Sequence, residues 1–226
     1  MGMLRELFAN ITSFLYILPV ALISLTFHEC AHGFVAYKLG DPTAKQSGRL
    51  TLNPIKHLDP IGFLFMVVFQ FGYAKPVPVN PMYFKNPKKG MLYTAIAGPL
   101  SNILLAFVCS FFSMFLLSLS IFYKSTALYI IQQFFYLMTV LNLSLAVFNM
   151  IPVHPFDGSR VLGYFMPNSY HRFINKYGSY IYIAFFVILI ATDFIGTAVS
   201  YVQSILYTGL MYMWYYPVTW LLNIII

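Results

Sequence analysis

Three residues with helical spacing, His28, Glu29 and His32, are the part of this chain best suited to chemistry. Side chains four residues apart share one face of a helix, so both imidazoles can bind a single metal ion. Glu29 lies beside them and can take a proton from a metal-bound water, as metal-assisted hydrolysis requires. The alternative is a hydrogen-bonded polar cluster between packed helices, with no metal.

The composition places this motif in a membrane protein. Hydrophobic residues make up 60% of the 226 residues, charged residues 8%, and the mean hydropathy is +0.75. About a quarter of the residues in a soluble domain are charged, so a soluble globular enzyme is excluded. Ionisable groups at membrane depth are costly and usually functional, which favours a metal site over a polar cluster. The net charge is +7. In a membrane protein, the basic residues are expected to set the orientation of the loops and to contact anionic lipid, so no nucleic-acid partner is expected.

Five apolar stretches are long enough to cross about 30 Å of hydrocarbon. They lie at 8–37, 91–122, 127–151, 177–195 and 199–226. The chain is therefore predicted to be an all-α polytopic membrane protein with one domain over residues 1–226. Cys30 and Cys109 each lie in an apolar stretch, so no structural disulfide is expected.

A shorter apolar piece at 61–73 separates two basic segments, 38–57 and 73–90. The piece is too short for a comfortable crossing and is predicted to be re-entrant. Both basic segments then lie on one side, and of the 13 lysines and arginines only Arg5 and Lys124 face the other side. By the positive-inside rule that basic side is cytoplasmic, which predicts a site toward the cytoplasm. The expected location is a prokaryotic cytoplasmic membrane, with the chain as a multi-pass protein.

A catalytic zinc ion takes three protein ligands, so the two histidines need a partner. The downstream candidates are Asp41, Asp59, Asp157, Asp193, His57, His154 and His171. Asp157 is favoured because it follows a proline-broken stretch at the end of a membrane helix. Irregular backbone at such depth lines a cavity, and a carboxylate there needs a counter-charge. The re-entrant topology also brings Asp157 and His32 to the same membrane face.

These motifs resemble those of the site-2 protease family of intramembrane zinc metalloproteases. Residues 28–32 are similar to the first metal motif of that family, and residues 149–158 to its Asn-to-Asp-Gly motif. Residues 97–102 look like its Gly-Pro-x-x-Asn segment, and residues 72–81 like the membrane-associated strand or loop of its compact members. The resemblance implies a compact intramembrane protease without an extra regulatory domain.

The resemblance also implies roles for single residues. His28, His32 and Asp157 would hold Zn²⁺, and Glu29 would be the general base and acid. Asn149 would help to organise the catalytic site.

Three further positions stay open at this stage. Asn102 is predicted to face the same cavity and bind substrate backbone or the oxyanion, although a buried asparagine can also simply tie helices together. Segment 75–81 either receives an unwound substrate by strand addition or is a plain surface loop. His154 departs from the family pattern and is interpreted as a loop histidine, with a spare metal ligand or proton shuttle as alternatives.

The expected partners follow from the site and the membrane. They are a membrane-protein substrate, meaning a single-span helix or its remnant, and the lipid bilayer; a homo-oligomer is left open. Two other functions remain at this stage. A metal transporter could use the same histidines and aspartate, and a catalytically silent homologue could bind membrane proteins without cutting them.

Overall fold

The structure of the chain, a computed structural model, describes residues 2–60, 62 and 74–225. Its α-helices are α1 (Gly2–Lys38), α2 (Thr43–Gln46), α3 (Pro87–Phe122), α4 (Thr126–Asn149), α5 (Asp157–Phe165), α6 (Asn168–Ala191) and α7 (Phe194–Ile225). Short 3₁₀ turns occupy Pro54–Lys56 and Pro81–Tyr83. Within the described ranges, β pairing is limited to an isolated bridge between Leu58 and Ala74. The predicted all-α fold is confirmed.

Four stretches of the described helices are long and apolar enough to cross a membrane. They are Ile17–Lys38, Pro87–Phe122, Thr126–Asn149 and Phe194–Ile225. The other predicted span, 177–195, covers the C-terminal part of α6 and the start of α7, and α6 is not among the four. The first half of α6 carries Arg172 and Lys176. The predicted re-entrant piece at 61–73 lies outside the described residues except for Gly62, so its path stays a prediction.

Helix α3 is the centre of the bundle and packs against α1, α4, α5 and α7. Its start is fixed locally, because Pro87 suits the first turn and the Asn86 side chain accepts the Lys89 N–H at 3.0 Å. Ala95 and Ala106 are fully buried in α3. Small residues at these positions let the neighbouring backbones approach closely.

Buried hydrogen bonds decide which helix faces meet. Asn142 in α4 donates to the Ser24 hydroxyl of α1 at 2.8 Å, and Trp214 in α7 donates to the Ser110 hydroxyl of α3 at 3.0 Å. Apolar contact alone distinguishes poorly between a helix and lipid tails, so such bonds give the bundle its specificity. Ser24 lies one turn before His28, so the first bond anchors the helix that carries the metal motif. Cys30 and Cys109 are both free thiols.

Candidate metal centre

Three ligand atoms meet where α1, α3 and α5 converge. Nε2 of His28 and Nε2 of His32 are 3.0 Å apart, and each is 3.2 Å from Oδ2 of Asp157. In the described part of the chain, these residues form the one cluster of three or more histidine, cysteine or acidic groups suited to a metal ion. Tetrahedral zinc with bonds of about 2.0–2.1 Å separates its ligand atoms by about 3.3 Å, so the triangle fits such an ion.

The hydrogen bond of the His32 ring leaves its Nε2 lone pair free to face the other two ligand atoms. Nδ1 of His32 lies 2.6 Å from the Thr94 carbonyl, so the ring N–H donates there and Nε2 keeps its lone pair. His28, His32 and Asp157 are only 5–6% exposed. Oδ2 of Asp157 has no other polar partner among the described residues. Buried acceptors this close repel each other unless a cation lies among them, and two imidazoles with one carboxylate are ligands that zinc favours.

Asp157 reaches the imidazoles because the helical structure is interrupted before it and a new helix begins at Asp157. α4 ends at Asn149, and Asp157 is the first residue of α5, where the helix dipole favours a negative charge. The turn requires Gly158, since a Cβ there would lie 2.2 Å from the Met150 carbonyl oxygen.

Gly98 of α3 provides the space for both imidazoles. A Cβ at this position would lie 2.5 Å from Nε2 of His32 and 2.6 Å from Cε1 of His28. In the sequence, Gly98 stands out only as part of the Gly-Pro-x-x-Asn segment, which does not reveal this steric role. Glycine within a helix costs about 1 kcal/mol relative to alanine. An isolated glycine in an apolar helix therefore indicates that another group packs closely against the helix at that position.

Gly98→Ala is expected to weaken zinc binding at least about tenfold, or about 1.4 kcal/mol, because the new methyl group must displace both imidazoles. Zinc affinity measured by competition with a chelator tests this. Gly196→Ala in α7 is the matched control, since no atom lies within 4 Å of a Cβ there. Equal zinc affinity in the two variants would contradict the steric role of Gly98.

Glu29 is half-buried beside the triangle and contacts a distant loop. Its Oε2 accepts the Val77 N–H at 2.8 Å. The sequence predicted the position of Glu29 in the motif but not this contact.

The two predicted asparagines lie in different environments. Asn102 lies one turn after Gly98, is fully buried, and neither polar atom of its amide has a hydrogen-bond partner in the described part of the chain. Asn149 donates to the Leu145 carbonyl of its own helix at 3.0 Å. Its predicted role in organising the site stays a prediction. His154 is exposed and lines a cavity of about 350 Å³ between the starts of α3, α5 and α6, apart from the metal triangle.

Known proteins resemble this chain over most of its length. The sequence profile of Peptidase family M50 matches residues 116–192, which include Asp157. The Bacillus subtilis protein YwhC is 41% identical over 190 residues, covering 82% of this chain and 85% of that protein. The Methanocaldococcus jannaschii protein MJ0611 is 36% identical, covering 60% of this chain and 63% of that protein. Both names assign these relatives provisionally as zinc metalloproteases. No solved structure matches the chain.

Proposed function

The chain belongs to the site-2 protease family, peptidase family M50, and we propose that it is a zinc metalloprotease that hydrolyses a peptide bond within or beside a transmembrane segment. The main support is the triangle formed by His28, His32 and Asp157, with Glu29 next to it. A carboxylate not needed for metal binding, placed beside the ligands, suits hydrolysis better than transport.

Metal binding and proton transfer are assigned to different residues. His28, His32 and Asp157 would hold the ion, and the Thr94 carbonyl fixes the ring of His32. A bound zinc ion acts as a Lewis acid and lowers the pKa of its water toward about 7. Glu29 accepts the proton of the attacking water and later delivers it to the leaving amine nitrogen, so one carboxylate serves both steps.

The depth of the motif in α1 supports cleavage inside the membrane. His28 lies ten residues before the end of the apolar span Ile17–Lys38. At 1.5 Å per residue this is about 15 Å along the helix axis, near the middle of a span. A substrate helix must unwind locally there, since its carbonyls are otherwise used in internal hydrogen bonds. The distribution of basic residues favours a site that opens toward the cytoplasm, and the relatives from Bacillus subtilis and Methanocaldococcus jannaschii favour a prokaryotic membrane.

Cleavage of single-span proteins in reconstituted vesicles tests the proposed function. We expect a cut inside or beside the substrate span, mapped by mass spectrometry, that a zinc chelator stops and added zinc restores. Circular dichroism on the chelated protein shows whether the fold persists. Zinc flux into the vesicles without any cleavage would contradict the protease and support a metal transporter. Binding of the single-span proteins without a cut would instead support a silent homologue.

Asn102→Leu is expected to lower kcat about a hundredfold with zinc content unchanged, the size of effect seen when an oxyanion donor is lost. The unpaired, fully buried amide supports this role, because such a group costs free energy unless a ligand or water pairs with it. Leucine keeps the side-chain size and removes the polar atoms. An unchanged kcat with a raised Tm would mean that Asn102 does not contact substrate.

A further inference from the structure

We propose that Asp41 and Arg49 are positioning residues for Glu29 and act through the backbone of loop 75–80. The inference rests on the proposed function, in which Glu29 carries the proton. Neither residue belongs to the metal motif, and both lie in the segment that follows α1. Each is buried, and each hydrogen-bonds the backbone of the loop that contacts Glu29.

The middle of the loop rests directly on α1. The Val77 N–H donates to Oε2 of Glu29 at 2.8 Å, and the Val77 side chain is only 8% exposed. That side chain packs over Gly33, where a Cβ would lie 3.1 Å from Cγ1 of Val77. The hydrogen bond to Glu29 and the packing of Val77 on Gly33 therefore join the loop to the helix, and a shift of the loop would move the group that orients the carboxylate.

Asp41 fixes the far end of the loop. The residue is fully buried, and its Oδ2 accepts the Asn80 N–H at 2.7 Å. Its Oδ1 accepts the Thr43 N–H at 2.9 Å and also the Thr43 hydroxyl. Hydrogen bonds to an ionised carboxylate are about twice as strong as neutral ones. The two bonds from Thr43 fix the Asp41 carboxylate, and the third bond holds Asn80.

Arg49 fixes the near end of the loop. The residue is 7% exposed, and its Nη2 donates to the Lys75 carbonyl and, at 3.5 Å, to the Pro76 carbonyl. The Lys75 N–H in turn donates to the His57 carbonyl at 2.9 Å. Val77 therefore lies between two anchored ends.

The proline pattern explains why the loop needs side chains to hold it. Pro76 and Pro78 have no N–H, so the stretch cannot form a regular strand ladder. Of the remaining N–H groups, those of Lys75, Val77 and Asn80 go to a carbonyl, to Glu29 and to Asp41. Burying charged side chains is costly, and here both charges are directed at loop backbone rather than at each other. That use of charge indicates a need to hold Val77 in one position.

Hydrogen exchange of the Val77 amide, read by mass spectrometry with fragmentation to single residues, tests the coupling without substrate. We expect Asp41→Asn and Arg49→Gln to speed this exchange at least about tenfold and to lower kcat at least about tenfold, with KM and zinc content unchanged. Lys45→Gln is the control matched to Arg49→Gln. It removes the same positive charge from the same segment, but among the described residues the Lys45 ammonium contacts the hydroxyl and ring of the exposed Tyr37, not the loop.

Two outcomes would overturn the inference. Unchanged exchange at Val77 would show that the anchors do not hold the loop, and faster exchange with normal kcat would show that the loop does not position Glu29. Arg49→Lys keeps the charge and one donor, so it should recover part of kcat and provides a test if the other variants do not fold. A wild-type protein that cleaves nothing would refute the proposed function, while the exchange pattern would still test the anchoring.

Discussion

Glu29→Gln is expected to lower kcat for cleavage about a thousandfold, within the range that a positioned general base contributes. Glutamine has nearly the same shape as glutamate but cannot take up the proton of the attacking water. Zinc should stay bound, since the metal triangle consists of His28, His32 and Asp157. Turnover in vesicles and zinc content on the same preparation provide the measurement.

The contact with Val77 gives this experiment its internal control. The amide oxygen of glutamine can still accept the Val77 N–H, so exchange of that amide should stay slow while catalysis is lost. The variant therefore separates the proton-transfer role of Glu29 from its contact with the loop. Cleavage by Glu29→Gln at the wild-type rate would refute the role of Glu29 as the general base. Zinc flux that persists in that variant without any cleavage would favour a transporter.

Asp157→Asn is expected to reduce zinc affinity by about two to four orders of magnitude, which matches the roughly 3–5 kcal/mol for breaking a buried charge pair. A neutral amide oxygen is a weaker ligand, and the cation would face two neutral imidazoles without a counter-charge. Cleavage should be lost at ordinary zinc concentrations. Competition with a chelator measures the affinity.

Excess zinc distinguishes the ligand from the base. Added zinc should restore part of the activity of Asp157→Asn by mass action, but none of the activity of Glu29→Gln. Asp193→Asn is the matched control, because Asp193 is exposed at the junction of α6 and α7. If Asp157→Asn binds zinc as tightly as wild type, the third ligand lies elsewhere.

The predictable part of the site depends on local geometry. Helical spacing alone aligns His28 with His32, and the proline-broken stretch before Asp157 marks a place where backbone must line a cavity. The structure brings these three residues together. The all-α fold was predictable for a similar reason, because only helices satisfy every backbone group within an apolar span.

The unpredicted part depends on contacts between distant segments. The hydrogen bond from Val77 to Glu29 joins residues 48 apart, and the bond from Asn80 to Asp41 joins residues 39 apart. No spacing rule connects such pairs. The start of α6 was missed for another reason. The predicted span 177–195 follows apolar residues alone, whereas the helix begins at Asn168 and its first half is polar.

The separation of the ligands along the chain has a consequence for stability. His32 and Asp157 are about 125 residues apart in sequence and meet only in the folded chain, so a zinc ion held by both would bind the folded state and not the unfolded one. With free zinc at a thousand times its Kd, linkage would add about 4 kcal/mol to the folded state. Zinc-starved cells would then hold a protein that is inactive and also easier for quality-control proteases to degrade.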